Sequence, residues 1–143
     1  MTREDILKKL KELNLPKNSY VAYGSSPLAV AGIREAKDID ILASKEVYKH
    51  LQDQGWEQLN KGPLDKPLAR YVFEVHQTWA FSPYSPTLEQ LQASAVIVDG
   101  IPFASLLEVR KWKEASGGEK NLADIRLIGL YLQEKELREI DFK

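Results

Sequence analysis

Apolar residues recur at helical spacing near the start of the chain. Ile6, Leu7, Leu10 and Leu13 fall on one stripe, so residues 3–13 read as an amphipathic helix. Pro16 in "NLPKN" ends it. The pattern then becomes short and continuous, and "YVAYG" reads as a strand. "SSPLAVAG" reads as a helix of about two turns, with Ser26 as cap, Pro27 first in the helix and Gly32 as a left-handed stop. "KDIDILAS" is a strand whose Ile39 and Ile41 share a side, and Ser44 caps the helix "KEVYKHLQDQ", which stops at Gly55. "LARYVFEVHQTW" is rich in aromatic and β-branched residues and reads as the strongest strand. "SPTLEQLQAS" is a short helix, and "AVIVDGIPFA" is a hairpin turning at Asp99 and Gly100. Ser105 opens the helix "LLEVRKWKEA", which breaks at "SGG" before a final helix over about 120–138.

This order is α-β-α-β-α-β, then α-β-β and two helices. It predicts an α/β (α+β) fold, a small mixed β-sheet backed by helices in one domain over 1–143. Residues 61–67, with their proline and glycine, form a loop between helix and strand; they are too few for a domain linker. The 143 residues suffice to bury a core, and 43% hydrophobic with 29% charged residues is ordinary for a soluble domain. No cysteine is present, which excludes disulfides and thiolate zinc sites. No apolar run approaches a membrane span, and the charged first helix is unlike a signal peptide, so a cytoplasmic protein with no membrane partner is expected. A net charge of −1 argues against a broad nucleic-acid surface.

The candidate chemistry lies where polar residues interrupt apolar runs. In an extended strand Asp38 and Asp40 point the same way, opposite Ile39 and Ile41. Two carboxylates roughly 6–7 Å apart, at an effective dielectric near 20, repel by about 2–3 kcal/mol. They need water, a basic neighbour or a cation, and Mg2+ suits such oxygen ligands. Alone, Asp-x-Asp also fits a wet edge strand. Arg34, just upstream, is expected to pair with one of these aspartates. "GSSP" follows a strand and opens a helix. Gly24 there permits close backbone approach to an anion, and Ser25 and Ser26 add hydroxyls, although a plain Ser-Pro cap would also explain Ser26 and Pro27. In "YVFEVH", Glu74 and His76 share a face, and a carboxylate in so apolar a strand is costly unless paired or bound to metal. His76 itself is expected to be structural, with proton transfer beside Glu74 the lesser reading. Trp56, Trp79 and Trp112 are expected as core or interface anchors, and stacking of Trp79 and Tyr84 on a base is open.

Together, "GSSPLAVAGIREAKDIDIL", the later "FEVH" and "KEASGGEKNLADIRLI" resemble the signature of the polymerase-β-like nucleotidyltransferase superfamily, over roughly residues 20–130. The last stretch matches through Lys113, Lys120 and Asp124, with Asn121 where relatives usually carry aspartate and Glu74 where aspartate is commoner. The resemblance implies a nucleotidyltransferase fold and an Mg2+-dependent enzyme. Such an enzyme would move a nucleoside monophosphate from a nucleoside triphosphate to a hydroxyl of a small molecule, protein or RNA. It implies that Asp38, Asp40 and Glu74 are the catalytic metal ligands. Gly24, Ser25 and Ser26 would hold phosphates and Lys113 would neutralise their charge, although a solvated lysine on a helix face fits Lys113 equally well. Minimal members of the group often use a second copy or a partner chain, so a homodimer or partner chain is open. The rival expectation is a non-catalytic nucleotide-sensing or partner-binding module on the same scaffold.

Overall fold

The computed structural model describes residues 1–63 and 65–141. Leu64, inside the expected 61–67 loop, and Phe142 and Lys143, at the end of the expected domain, lie outside the described residues. Helix α1 is Arg3–Leu13, started by a reciprocal cap: the Thr2 hydroxyl accepts from the Asp5 N–H and the Asp5 carboxylate accepts from the Thr2 N–H. After a 3-10 turn come β1 (Tyr20–Tyr23), α2 (Ser26–Val30), β2 (Ile39–Ala43) and α3 (Lys45–Asp53). Next are β3 (Glu57–Gln58), β4 (Leu68–Arg70), β5 (Phe73–His76) and α4 (Leu88–Ala93). The hairpin β6 (Val96–Val98) and β7 (Ile101–Phe103) leads to α5 (Leu106–Ser116) and α6 (Glu119–Asp141).

Among the described residues the strands form a seven-stranded mixed sheet, in the order β3-β4-β5-β2-β1-β7-β6, backed by six α-helices. The expected mixed sheet with backing helices is the observed architecture. Its centre is where the chain is most apolar: β1 is buried throughout, pairs antiparallel with β2 and lies parallel to β7. Strand β2 in turn lies parallel to β5. One face packs Ile39, Ile41, Phe73 and Val75 against α1 and α3. The other packs Val21, Tyr23 and Leu42 against Val109 of α5 and Ile128 of α6. The Asp99 and Gly100 turn has both residues at positive φ, 51° and 79°, as a two-residue hairpin requires.

Two local expectations are corrected. The run 68–79 is not one strand: β4 and β5 are antiparallel partners, with Arg70 opposite Phe73, and the chain reverses at Tyr71, whose φ is +55°. The apolar composition concealed this turn, because tyrosine is not a residue that announces a left-handed position. At α2, Ser25 rather than Ser26 is the cap, and its side chain makes no capping hydrogen bond because its own backbone is already helical, at φ −87° and ψ −11°. Pro27 therefore sits second in the helix, where its missing N–H still costs no hydrogen bond.

The central strands carry the stability of this arrangement. Ile41→Ala, at a fully buried position of β2, is expected to destabilise the fold by about 2–5 kcal/mol. Leu107→Ala, on the half-exposed start of α5, is expected to stay within about 0.5 kcal/mol. Urea unfolding followed by circular dichroism measures both.

Candidate functional site

Strand alternation decides which polar side chains meet. Because Ile39, Ile41, Phe73 and Val75 turn to the α1 and α3 side, Asp40, Glu74 and His76 emerge together on the side of α5 and α6. Register then fixes their spacing. Tyr23 of β1 pairs with Asp40, Asp40 lies beside Glu74, and Leu42 lies beside His76. One donor atom from each of Asp40, Glu74 and His76 lies within 4.8 Å of the other two.

His76 Nε2 is 3.1 Å from Glu74 Oε1 and 3.8 Å from Asp40 Oδ1. The close approach to Glu74 is not a hydrogen bond: the nitrogen is buried and has no partner of suitable geometry. On the other side of the ring, Nδ1 is 3.7 Å from Asp65 Oδ1. The Trp79 indole meets the imidazole edge-on at 4.9 Å and 81°, so the ring has little freedom to turn. Lys61, from the loop before β4, donates to Glu74 Oε1 and is the nearest compensation for the paired carboxylates. A cleft of about 300 Å³ opens beside His76, lined by Tyr48, Gln58, Asp65, Lys66 and Thr78 among others.

Gly24 belongs to this site by contact. Its φ is +68°, and a Cβ built on it would overlap Asp40 Oδ2 and lie 3.0 Å from Asp40 Cβ and Cγ. Glycine is thus required twice, by conformation and by the carboxylate leaning on its backbone. Ser25 is partly exposed beside it. Ser26 is fully buried and its hydroxyl has no partner. Asp38 precedes β2, is exposed and stands outside the three-donor group. The two carboxylates brought closest are therefore Asp40 and Glu74, on neighbouring strands.

Lys113 is buried, and its ammonium lies 2.8 Å from Asp124 and donates to Asn121 Oδ1 at 3.2 Å. The solvated alternative for Lys113 is thereby corrected. Arg34 forms a fork onto the same Asp124, 2.8 Å from each oxygen, rather than pairing with Asp38 or Asp40. Burial pushes the Asp124 carboxyl up, but hydrogen bonds from Arg34 and Lys113 outweigh it and hold the group down at about 2. Lys120 is exposed. Trp79 is the core anchor expected of it. Trp79 is buried among Tyr23, Phe81, Trp112 and His76, and the Tyr84 hydroxyl bonds to Tyr23 and Glu108.

Two carboxylates and an unpartnered imidazole nitrogen form a donor set that fits a divalent cation, and a backbone cradle that a Cβ would fill lies against it. His76 was expected to be structural, and its place among possible metal donors was not foreseen from the sequence. Its signal was the two-residue spacing from Glu74, which put both on one face. Comparison of the chain with protein-family models, curated proteins and solved structures gives no match. No described helix is long and apolar enough to cross a membrane.

Asp124 has a testable titration. Its folded value lies below the ordinary 3.8, so its stabilisation is fully present above about pH 4 and is lost as pH falls towards 2. The loss is on the order of 2 kcal/mol. Urea midpoints measured from pH 5 to pH 2 should fall more steeply for the native chain than for Asp124→Asn.

Proposed function

We propose that this chain is a metal-dependent nucleotidyltransferase. The observation that carries the reading is the pair Asp40 and Glu74 on laterally paired strands, with the Gly24 turn that follows β1 in contact with the Asp40 carboxylate. In this reading Asp40 and Glu74, with Asp38 at the exposed entrance, hold divalent cations of the Mg2+ class. A bound cation supplies neutralisation of triphosphate and pyrophosphate charge. The Gly24 and Ser25 turn receives the β- and γ-phosphates, with Ser25 offering its hydroxyl and Ser26 following in the same turn, its buried hydroxyl without a partner in the protein.

The acceptor hydroxyl oxygen forms a bond to the α-phosphorus while the bond from that phosphorus to the bridging oxygen breaks. Pyrophosphate leaves with the bonding electrons. Glu74 Oε1 is engaged by Lys61, so the second oxygen of that carboxylate takes the acceptor's proton. Lys113 acts through its cluster. Two cations share the single Asp124 carboxylate, which leaves one positive charge among α5, α6 and the segment before β2. The cleft beside His76 is open to one of the two substrates, and a second copy or a partner chain completes the acceptor side. A cytoplasmic location, where nucleoside triphosphates are plentiful, is part of this reading.

The alternative, a nucleotide-sensing module, shares every binding feature and lacks only turnover. Pyrophosphate release therefore separates them, measured with each nucleoside triphosphate, Mg2+ or Mn2+, and a panel of hydroxyl acceptors. The double variant Asp38→Asn with Asp40→Asn should lose turnover by roughly a thousandfold or more while keeping its circular dichroism spectrum. Undiminished turnover in that variant would rule the mechanism out. Calorimetric triphosphate binding without turnover on any acceptor would leave the sensing module.

A further inference from the structure

We infer that His76 is itself a metal ligand, and that Asp40, Glu74 and His76 together select a transition-series divalent cation such as Mn2+ over Mg2+. The inference deepens the proposed function and rests on the carboxylate pair being a metal site. It departs from the all-oxygen ligand set that the sequence resemblance implies.

Three observations carry it. The residue His76 is only 9% exposed, and its Nε2 is buried with no hydrogen-bond partner, although it lies within 3.8 Å of oxygens from both carboxylates. A buried imidazole nitrogen left without a partner is costly, and a cation between these groups would satisfy it. The opposite nitrogen faces Asp65 Oδ1 at 3.7 Å. That distance is beyond a hydrogen bond, and the negative charge on that side favours the proton on Nδ1, which leaves the Nε2 lone pair for the metal. Finally, Trp79 packs edge-on against the ring, which holds the imidazole in place before any ion arrives. Mg2+ prefers an octahedron of oxygens and gains little from imidazole. Mn2+ and Co2+ accept the same carboxylates and bind nitrogen more tightly.

The test uses the full chain and bare metal salts. Isothermal titration calorimetry with Mg2+ and Mn2+ is paired with visible absorption of Co2+, whose bands shift and intensify when imidazole enters the coordination sphere. The chain has two histidines, and the other, His50, is exposed on α3, so His50→Ala is a clean control. The native chain and the control should bind Mn2+ at least about tenfold tighter than Mg2+ and give the imidazole-shifted Co2+ spectrum. His76→Ala, or His76→Asn should the first variant fail to fold, should lose roughly tenfold in Mn2+ affinity and the spectral shift, with Mg2+ affinity within about twofold. Equal affinities for Mg2+ and Mn2+ in the native chain, or an unchanged Co2+ spectrum in the His76 variants, would overturn the inference. Turnover supported by Mg2+ with His76 silent would sink this assignment and leave the proposed function standing. Selective Mn2+ binding with no turnover on any substrate would do the reverse.

Discussion

Asp40 and Glu74 occupy adjacent positions on two parallel strands, and the sheet does not let them separate. Neighbouring strands lie under about 5 Å apart, so two ionised side chains on the same face must be compensated or one must give up its charge. The chain brings compensation from the loop before β4, where Lys61 reaches back to Glu74, and sets His76 one step further along the same face. The loop between β3 and β4 supplies Lys61 to that pair, and Trp79 packs against the neighbouring His76.

A second charged cluster works differently. Arg34, Lys113 and Asp124 join the segment before β2 to α5 and α6, and here one carboxylate serves two cations in a largely buried setting. Buried pairs of this kind add little net stability against a well-packed apolar replacement. Their contribution is geometric: the planar fork of Arg34 accepts one orientation of Asp124 and thereby fixes how α6 lies on the sheet.

What could be read from the chain follows from how local each signal is. The stripe of α1, the Ser44 and Ser105 caps and the turn at Asp99 and Gly100 depend on neighbours a few residues away, and all appear as expected. The short β3 has no apolar alternation to reveal it, since Glu57 and Gln58 are both exposed. The reversal at Tyr71 was hidden by its composition. Partners distant in sequence were hidden altogether: Arg34 lies 90 residues from Asp124, and no local pattern favours that carboxylate over the nearer aspartates. Asp40 and Glu74 were legible as candidates because charge in an apolar run is conspicuous. The role of Asp65 behind His76 was not, because loop residues acquire their neighbours only when the fold closes.

The contact between Gly24 and the Asp40 carboxylate links two positions sixteen residues apart into one heritable unit. Any side chain at the first would displace the acid at the second, so the glycine cannot change while the acid keeps its place. Losing the aspartate would relieve that overlap but not the left-handed turn, whose φ of +68° still favours glycine, so the glycine would outlast the acid that leans on it.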